Sequence, residues 1–509
     1  MKVSFITDSW LDRDGYGSLL SSFVDFFKED EWEVTVYHQE NEHIQNSCGK
    51  VVATNLSALL DRAMKGPNDP LSPLNFLFES QIVFVAYLTY YPLMEISRFV
   101  TFGSLVFLYP GITPFHLHIE DDPLKEFTKE AVLHLGLLKF ADRIIVNSQY
   151  MLSELSELAA IDSDFIKVIP LSVAPGLLNA IELPRQNIEL SRQNVEVPCQ
   201  NETNSFTLLY VGRISGNKRV DLLIKGLALI KQKVAGITLI IAGMHSRVFT
   251  SSYMESLRSQ IEKAGLTENV VFKGDLTSAE LAELYSSADV FVTASLHEGF
   301  CLPVAEAKFF AVPAVVPDIS ATPQTAGIGG VSYEPENMEA FAEIIVELFS
   351  DRNKLSELSK AAQSEASQYT QEQFFSNLKV FIDEVSAFSK EDNSRSISVY
   401  GRGNSRVNIC DAVANHSVSY LDTFSLPLIG SFIRWLRRKI TFPVEKTVMR
   451  PVIKQQSLWN KLLVSRLKDL QKDIKELKEL NDCDLDSHGS DNCKKRSDNC
   501  KKQDKHDLI

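Results

Sequence analysis

The chain is short of several things, and each shortage excludes something. Seven cysteines in 509 residues, odd in number and scattered from Cys48 to Cys500, do not make a disulfide framework. They read as reduced thiols of a cytoplasmic protein. No apolar run approaches the ~20 residues that span a bilayer; the longest, Ile82–Leu88 and Leu105–Leu108, are strand-sized. Positive charge is in deficit, with 52 Lys and Arg against 66 Asp and Glu. A net charge of −14 excludes a general nucleic-acid binder, because phosphate backbones are met with Lys and Arg. Met1-Lys2 leads straight into Val3–Ile6 and then Asp8, which predicts a buried strand and a polar loop in place of a signal peptide.

What is present is alternation. The length allows two or three domains. Val3–Thr7, Val34–Tyr37, Ile82–Tyr87, Leu105–Leu108, Ile144–Val146 and Lys167–Ile169 are short apolar runs separated by helical patterns such as Ser18–Phe27. Unbroken runs of this length suit parallel strands covered on both faces. The pattern breaks at 176–205, a polar segment with two prolines, read as a linker. It then resumes, with strands at Leu208–Val211, Leu239–Ile241, Val270–Phe272, Val290–Thr293 and Ala314–Val316. Helices are expected at Arg219–Lys231, Tyr253–Ala264, Ser278–Ser286, Pro303–Phe310, Met338–Phe349, Asn353–Gln368 and Gln371–Phe388. The expected class is α/β, with two doubly wound domains in series whose ligands bind outside the C-terminal strand ends. The boundaries are 1–175 for the first domain, 206–370 for the second, and 371–390 for a helix returning to the first. A basic helical extension follows at 391–480, and then a disordered tail at 481–509.

The chemistry concentrates in HEGFCLPVAEA. Gly299 permits a close backbone approach, Pro303 opens a helix at no hydrogen-bonding cost, and the helix start favours an anionic or hydroxyl-rich ligand. Glu298 and Glu306 can then face one pocket, as carboxylate partners for sugar and ribose hydroxyls. A second site is VGRISGNK, Val211–Lys218, where Arg213 and Lys218 can hold a diphosphate at a strand end. The two sites are expected to face each other across a cleft. Gly15 and Gly17 in DRDGYG follow the first strand and permit approach to a phosphate or sugar.

YVGRISGNKRVDLLIKGL, LIIAG and VVFKGDLTSAELAELYSSADVFVTASLHEGFCLPVAEAKFFAVPAVV together resemble glycosyltransferase family 4, of the two-lobed GT-B fold. The likeness spans Leu208–Leu348 in order and spacing and is weaker elsewhere. It implies that Arg213 and Lys218, beside Gly212, bind the donor diphosphate. It implies that Glu298 contacts the transferred sugar and that Gly299, Phe300 and Cys301 form the loop at sugar and phosphate. Leu302 would lie beside the nucleoside, Glu306 would hold the ribose, and the backbone of Phe272 and Lys273 would meet the base. The resemblance further implies retention of anomeric configuration, a UDP- or GDP-linked donor, and neither cofactor nor metal.

Phe107–His118, FLYPGITPFHLH, resembles a Tyr-His-Gly-x-Thr-Pro segment of bacterial polysaccharide enzymes, with Pro110 in the histidine's place. His116 and His118 are the acceptor-side candidates to replace it. The expected activity is hexosyl transfer to a glycan or lipid-linked acceptor in cell-surface polysaccharide or lipopolysaccharide synthesis. The rivals are a sucrose- or sugar-phosphate-forming synthase and a non-catalytic assembly platform.

The region Leu426–Leu480 has thirteen Lys or Arg against five Asp or Glu. Within it, residues 426–440 place Trp435 and aliphatics among arginines, a pattern suited to the inner face of an anionic membrane. Leu463, Leu467, Leu470, Ile474 and Leu477 alternate four and three apart, a seam suited to a dimer. The tail repeats SDNCKK, and its Cys and His spacings match no familiar zinc site.

Overall fold

The strongest apolar runs build the centres of two parallel sheets. A computed structural model describes residues 1–8, 15–39, 50–59, 77–99, 103–118, 122–180, 205–243 and 251–391, with positions 57, 78, 123 and 275 excepted. The first sheet holds β1 (Lys2–Thr7), β2 (Glu33–Gln39), β3 (Lys50–Thr54), β4 (Ile82–Ala86), β5 (Ser104–Tyr109), β6 (Arg143–Val146) and β7 (Ile166–Val168). Its order is β3-β2-β1-β4-β5-β6-β7, and every pairing is parallel. All residues of β4 and β5 are buried, as helices on both faces require.

The second sheet holds β8 (Phe206–Val211), β9 (Ile237–Ala242), β10 (Val270–Lys273), β11 (Val290–Val292), β12 (Ala314–Pro317) and β13 (Gly330–Tyr333). Its order is β10-β9-β8-β11-β12-β13, again parallel throughout. In both sheets the order reverses beside the first strand, between β1 and β4 and between β8 and β11. A crevice opens at the C-terminal ends of such strands.

Aromatic packing joins the ends of the chain. Phe5 and Phe84 are direct partners on β1 and β4, and their rings stack at 4.9 Å. Phe23, on the helix Gly15–Glu29, packs edge-on against Phe374 of the helix Gln371–Glu391 at 5.3 Å. The last described helix therefore lies on the first lobe. Residues 175–180 are helical and bury Leu177, although the polar segment was expected to begin at 176. β3 and β13, both edge strands, were not expected from sequence.

The segments 391–480 and 481–509, with the basic stretch 426–440 and the leucine seam 463–477, lie outside the described residues, apart from residue 391 itself. So do residues 181–204 of the linker. Among the described residues no helix is long and apolar enough to cross a membrane.

Candidate functional site

A cavity of about 480 Å³ lies between the two sheets' C-terminal edges. The second lobe contributes most of its wall, including Gly212, Arg213, Lys218, Glu298–Pro303 and Glu306. The first lobe supplies Leu19, Leu88, Pro110, Gly111, Thr113, Asn147 and Leu171.

The floor is set by backbone that only glycine tolerates. β8 runs into Gly212 at φ 154°, and β9 into Gly243 at φ 153°. A Cβ on Gly243 would lie 2.0 Å from the Gly212 carbonyl oxygen. The two strand ends are thus pressed together, and Tyr210 Oη, buried beneath them, donates to the Arg213 carbonyl at 2.8 Å.

After Arg213 a single 3-10 turn, Gly216–Lys218, carries Lys218 over the cavity. Its Nζ donates to Glu298 Oε1 at 2.5 Å. The two groups expected on opposite sides of a cleft are therefore on the same lobe and paired directly. The reason is topological: β8 and β11 are neighbours, so the loops that follow them emerge side by side. Arg213 is exposed at the rim and makes no ion pair among the described residues. The next arginine, Arg219, is held elsewhere by Asp221 at 3.0 Å and by Glu336.

The loop after β11 bends sharply. Cys301 adopts φ 70°, in the left-handed region, and the helix Leu302–Phe309 follows with Pro303 in its first turn. The Cys301 thiol is buried and pushed up in pKa by that burial, and then by Glu298. Glu306, one turn into the helix, accepts a hydrogen bond from Tyr285 Oη at 2.6 Å. Both carboxylates line the same cavity.

Burial raises the Glu306 carboxyl above the ordinary glutamate value of 4.5, and the Tyr285 hydrogen bond pulls it partly back. The native state then keeps a proton that the unfolded chain releases once pH passes 4.5. Stability contributed by this group falls as pH rises through that window. Chemical unfolding across pH should show wild type losing ground to Glu306→Gln from 4.5 upward, until the folded carboxyl is ionised. A gap that grows on acidification would contradict this assignment.

Of the other expected residues, some reach the cavity and some do not. Phe300 and Leu302 line the cavity. Phe272 and Lys273 end β10, and the neighbouring Gly274 and Leu276 line the cavity in their place. Gly15 and Gly17 lie in the first turn of their helix, and the Asp12–Asp14 part of that loop is outside the described residues.

Neither acceptor-side histidine lines the cavity. Thr113 and Pro114 carry the chain into a 3-10 turn that leaves His116 exposed. His118 is buried, with Nδ1 2.9 Å from Asp122 Oδ2. The histidine that does line the cavity is His297, which sequence reasoning passed over. Its Nε2 stands 3.0 Å from Glu154 Oε1 on the first lobe, 143 residues away in the chain. No local spacing could have shown that contact; the one available signal was a histidine adjoining Glu298.

Residues 193–365 match the family model described as glycosyl transferases group 1. The D-inositol 3-phosphate glycosyltransferase of Segniliparus rotundus is 25% identical over 224 residues, 43% of this chain and 46% of that protein. The chain thus spans about half the length of this curated relative. Among solved structures, Anabaena HepE in complex with UDP and glucose superposes with a TM-score of 0.54 at 19% identity, over 75% of this chain and all of that one. Sucrose-phosphate synthase from Thermosynechococcus elongatus gives 0.58 at 16%, over 76% of this chain and 99% of that one. Two parallel sheets flanked by helices, in this order, are the GT-B fold.

Proposed function

We propose that this protein transfers a hexosyl group from a nucleotide-diphosphate sugar to a glycan or lipid-linked acceptor, with retention of anomeric configuration. One observation carries the reading: Arg213, Lys218, Glu298 and Glu306 line a single cavity where the second sheet's strand order reverses. The match to group 1 glycosyl transferases over that lobe, and the likeness in fold to a structure solved with UDP and glucose, support it.

In this reading Arg213 and Lys218 hold the diphosphate and stabilise the charge it gains on leaving. Glu306 holds the ribose, and Glu298 holds the sugar. Glu298 is occupied by Lys218 at 2.5 Å, so it serves as a positioning group and not as a free nucleophile. The bond from the anomeric carbon to the leaving phosphate oxygen breaks. The acceptor oxygen bonds to that carbon on the same face, and its proton passes to the departing phosphate. No covalent sugar–enzyme intermediate is needed.

The test is to incubate the full chain with UDP- and GDP-sugars and candidate acceptors. Nuclear magnetic resonance then reads the anomeric configuration of the first product. An α-linked donor should give an α-linked product together with nucleoside diphosphate. An inverted product would overturn the mechanism, and release of free sugar phosphate would overturn the substrate class.

A further inference from the structure

Three contacts from the first lobe converge on the loop 297–300. Ser148 Oγ caps its own helix by accepting from Met151 N at 3.1 Å, and also donates to the Gly299 carbonyl at 2.7 Å. The Pro110 carbonyl oxygen lies 1.9 Å from where a Cβ on Gly299 would stand. His297 meets Glu154 at 3.0 Å. This last contact ties ionisable groups across the two lobes, and both are largely buried, with side-chain exposures of 6% and 14%.

The surroundings make Glu154 dependent on that histidine. Tyr150 Oη donates to the same oxygen, Oε1, at 2.9 Å. Tyr109 also faces the carboxylate, and its hydroxyl is held protonated by burial and by the Glu154 charge. Removing the imidazole would leave a buried carboxylate with only the Tyr150 hydroxyl as a hydrogen-bond partner among the described residues, and such a group is costly to keep desolvated. The lobes would part to let water reach it. His297 is also the residue before Glu298, about 3.8 Å away from Cα to Cα. Wherever His297 docks, Glu298 is carried with it.

We infer that Glu154 and His297 are a positioning pair, which docks the first lobe on the donor-side loop and thereby sets Glu298 at the cavity. The effect on transfer rests on the function proposed above; the docking does not.

Hydrogen exchange on the full-length chain tests the docking without reference to activity. His297→Ala and Glu154→Ala should each speed exchange about tenfold in peptides covering 148–155 and 296–302, through local opening. Peptides from β8 and β9 should be unchanged, which separates opening from unfolding. Glu154→Gln, which keeps a hydrogen bond to the imidazole, should retain most of the protection. In turnover assays each alanine variant should lower kcat at least tenfold while the donor KM moves less than threefold. The double variant should be no slower than the slower single one. Unchanged exchange in both peptides, or losses that multiply in the double variant, would overturn the pair. Absence of turnover by the unmodified chain with every UDP- and GDP-sugar would instead remove the proposed function and leave the exchange result standing.

Discussion

Lys218→Ala is expected to lower the turnover of sugar transfer by about 10²–10³, the scale seen when a preorganised donor to developing negative charge is removed. Two effects act in the same direction. The ammonium no longer attracts the leaving diphosphate. In addition, Glu298, which Lys218 neutralises at 2.5 Å, becomes an unpaired negative charge facing that diphosphate. The loss should appear in kcat as well as in donor affinity, because charge on the phosphate grows toward the transition state. Stability should fall as well, by roughly 1–3 kcal/mol, because the pair is largely buried, at 16% and 14% side-chain exposure, and Glu298 is left without its partner. Lys218→Arg should restore only part of the activity, because a planar guanidinium does not reproduce a compact ammonium on a one-turn loop. Steady-state kinetics beside thermal unfolding separate these effects. Near-normal turnover in Lys218→Ala would remove the diphosphate site from this loop.

Gly299→Ala is expected to cost about 10²-fold in transfer while leaving nucleotide binding within a few-fold. The added methyl would stand 1.9 Å from the Pro110 carbonyl oxygen, a separation that backbone must move to relieve. Overpacking of this kind costs roughly 1–3 kcal/mol in a closed core. Here the strain has an exit, because Pro110 and Gly299 belong to different lobes and a small opening removes the clash. The donor half of the cavity is built almost wholly on the second lobe, so it survives that opening. The placement of first-lobe groups against the donor does not, and a displacement of ~1 Å at a reacting centre is enough for the expected loss. Titration with UDP and GDP, paired with turnover, checks the split. Equal loss of both would mean that Gly299 serves donor binding alone.

Every strand except β3 and β13 was legible in the sequence as a short apolar run, the edge strands β7 and β10 included. The runs stand out most in β4, β5 and β11, where every residue is buried, and in β1 and β8, where all but one or two are. β3 and β13 escaped because their residues form no such run. β3 exposes Lys50, Val51 and Ala53, and β13 opens on Gly330 with only Tyr333 buried, so neither shows the apolar run that marks the other strands. The site divides in the same way. Arg213, Lys218, Glu298 and Glu306 sit on loops whose local pattern of strand, glycine, charge and helix is visible in one dimension. Their direct pairing is not visible, because it follows from β8 and β11 lying side by side. His297 was hidden for the same reason: its partner Glu154 comes from a helix of the other lobe. His116 and His118 drew notice through proximity in sequence to Pro110, but a 3-10 turn and a buried Asp122 take them elsewhere.

The central claim is that the cavity around Lys218 and Glu298 holds a nucleoside diphosphate. Calorimetric titration of UDP and of GDP into the full-length chain, and into Lys218→Ala, tests it most directly. Saturable one-to-one binding of one nucleotide, weakened at least tenfold by the substitution, is the predicted result; equal affinity in both proteins, or no binding of either nucleotide, would contradict it.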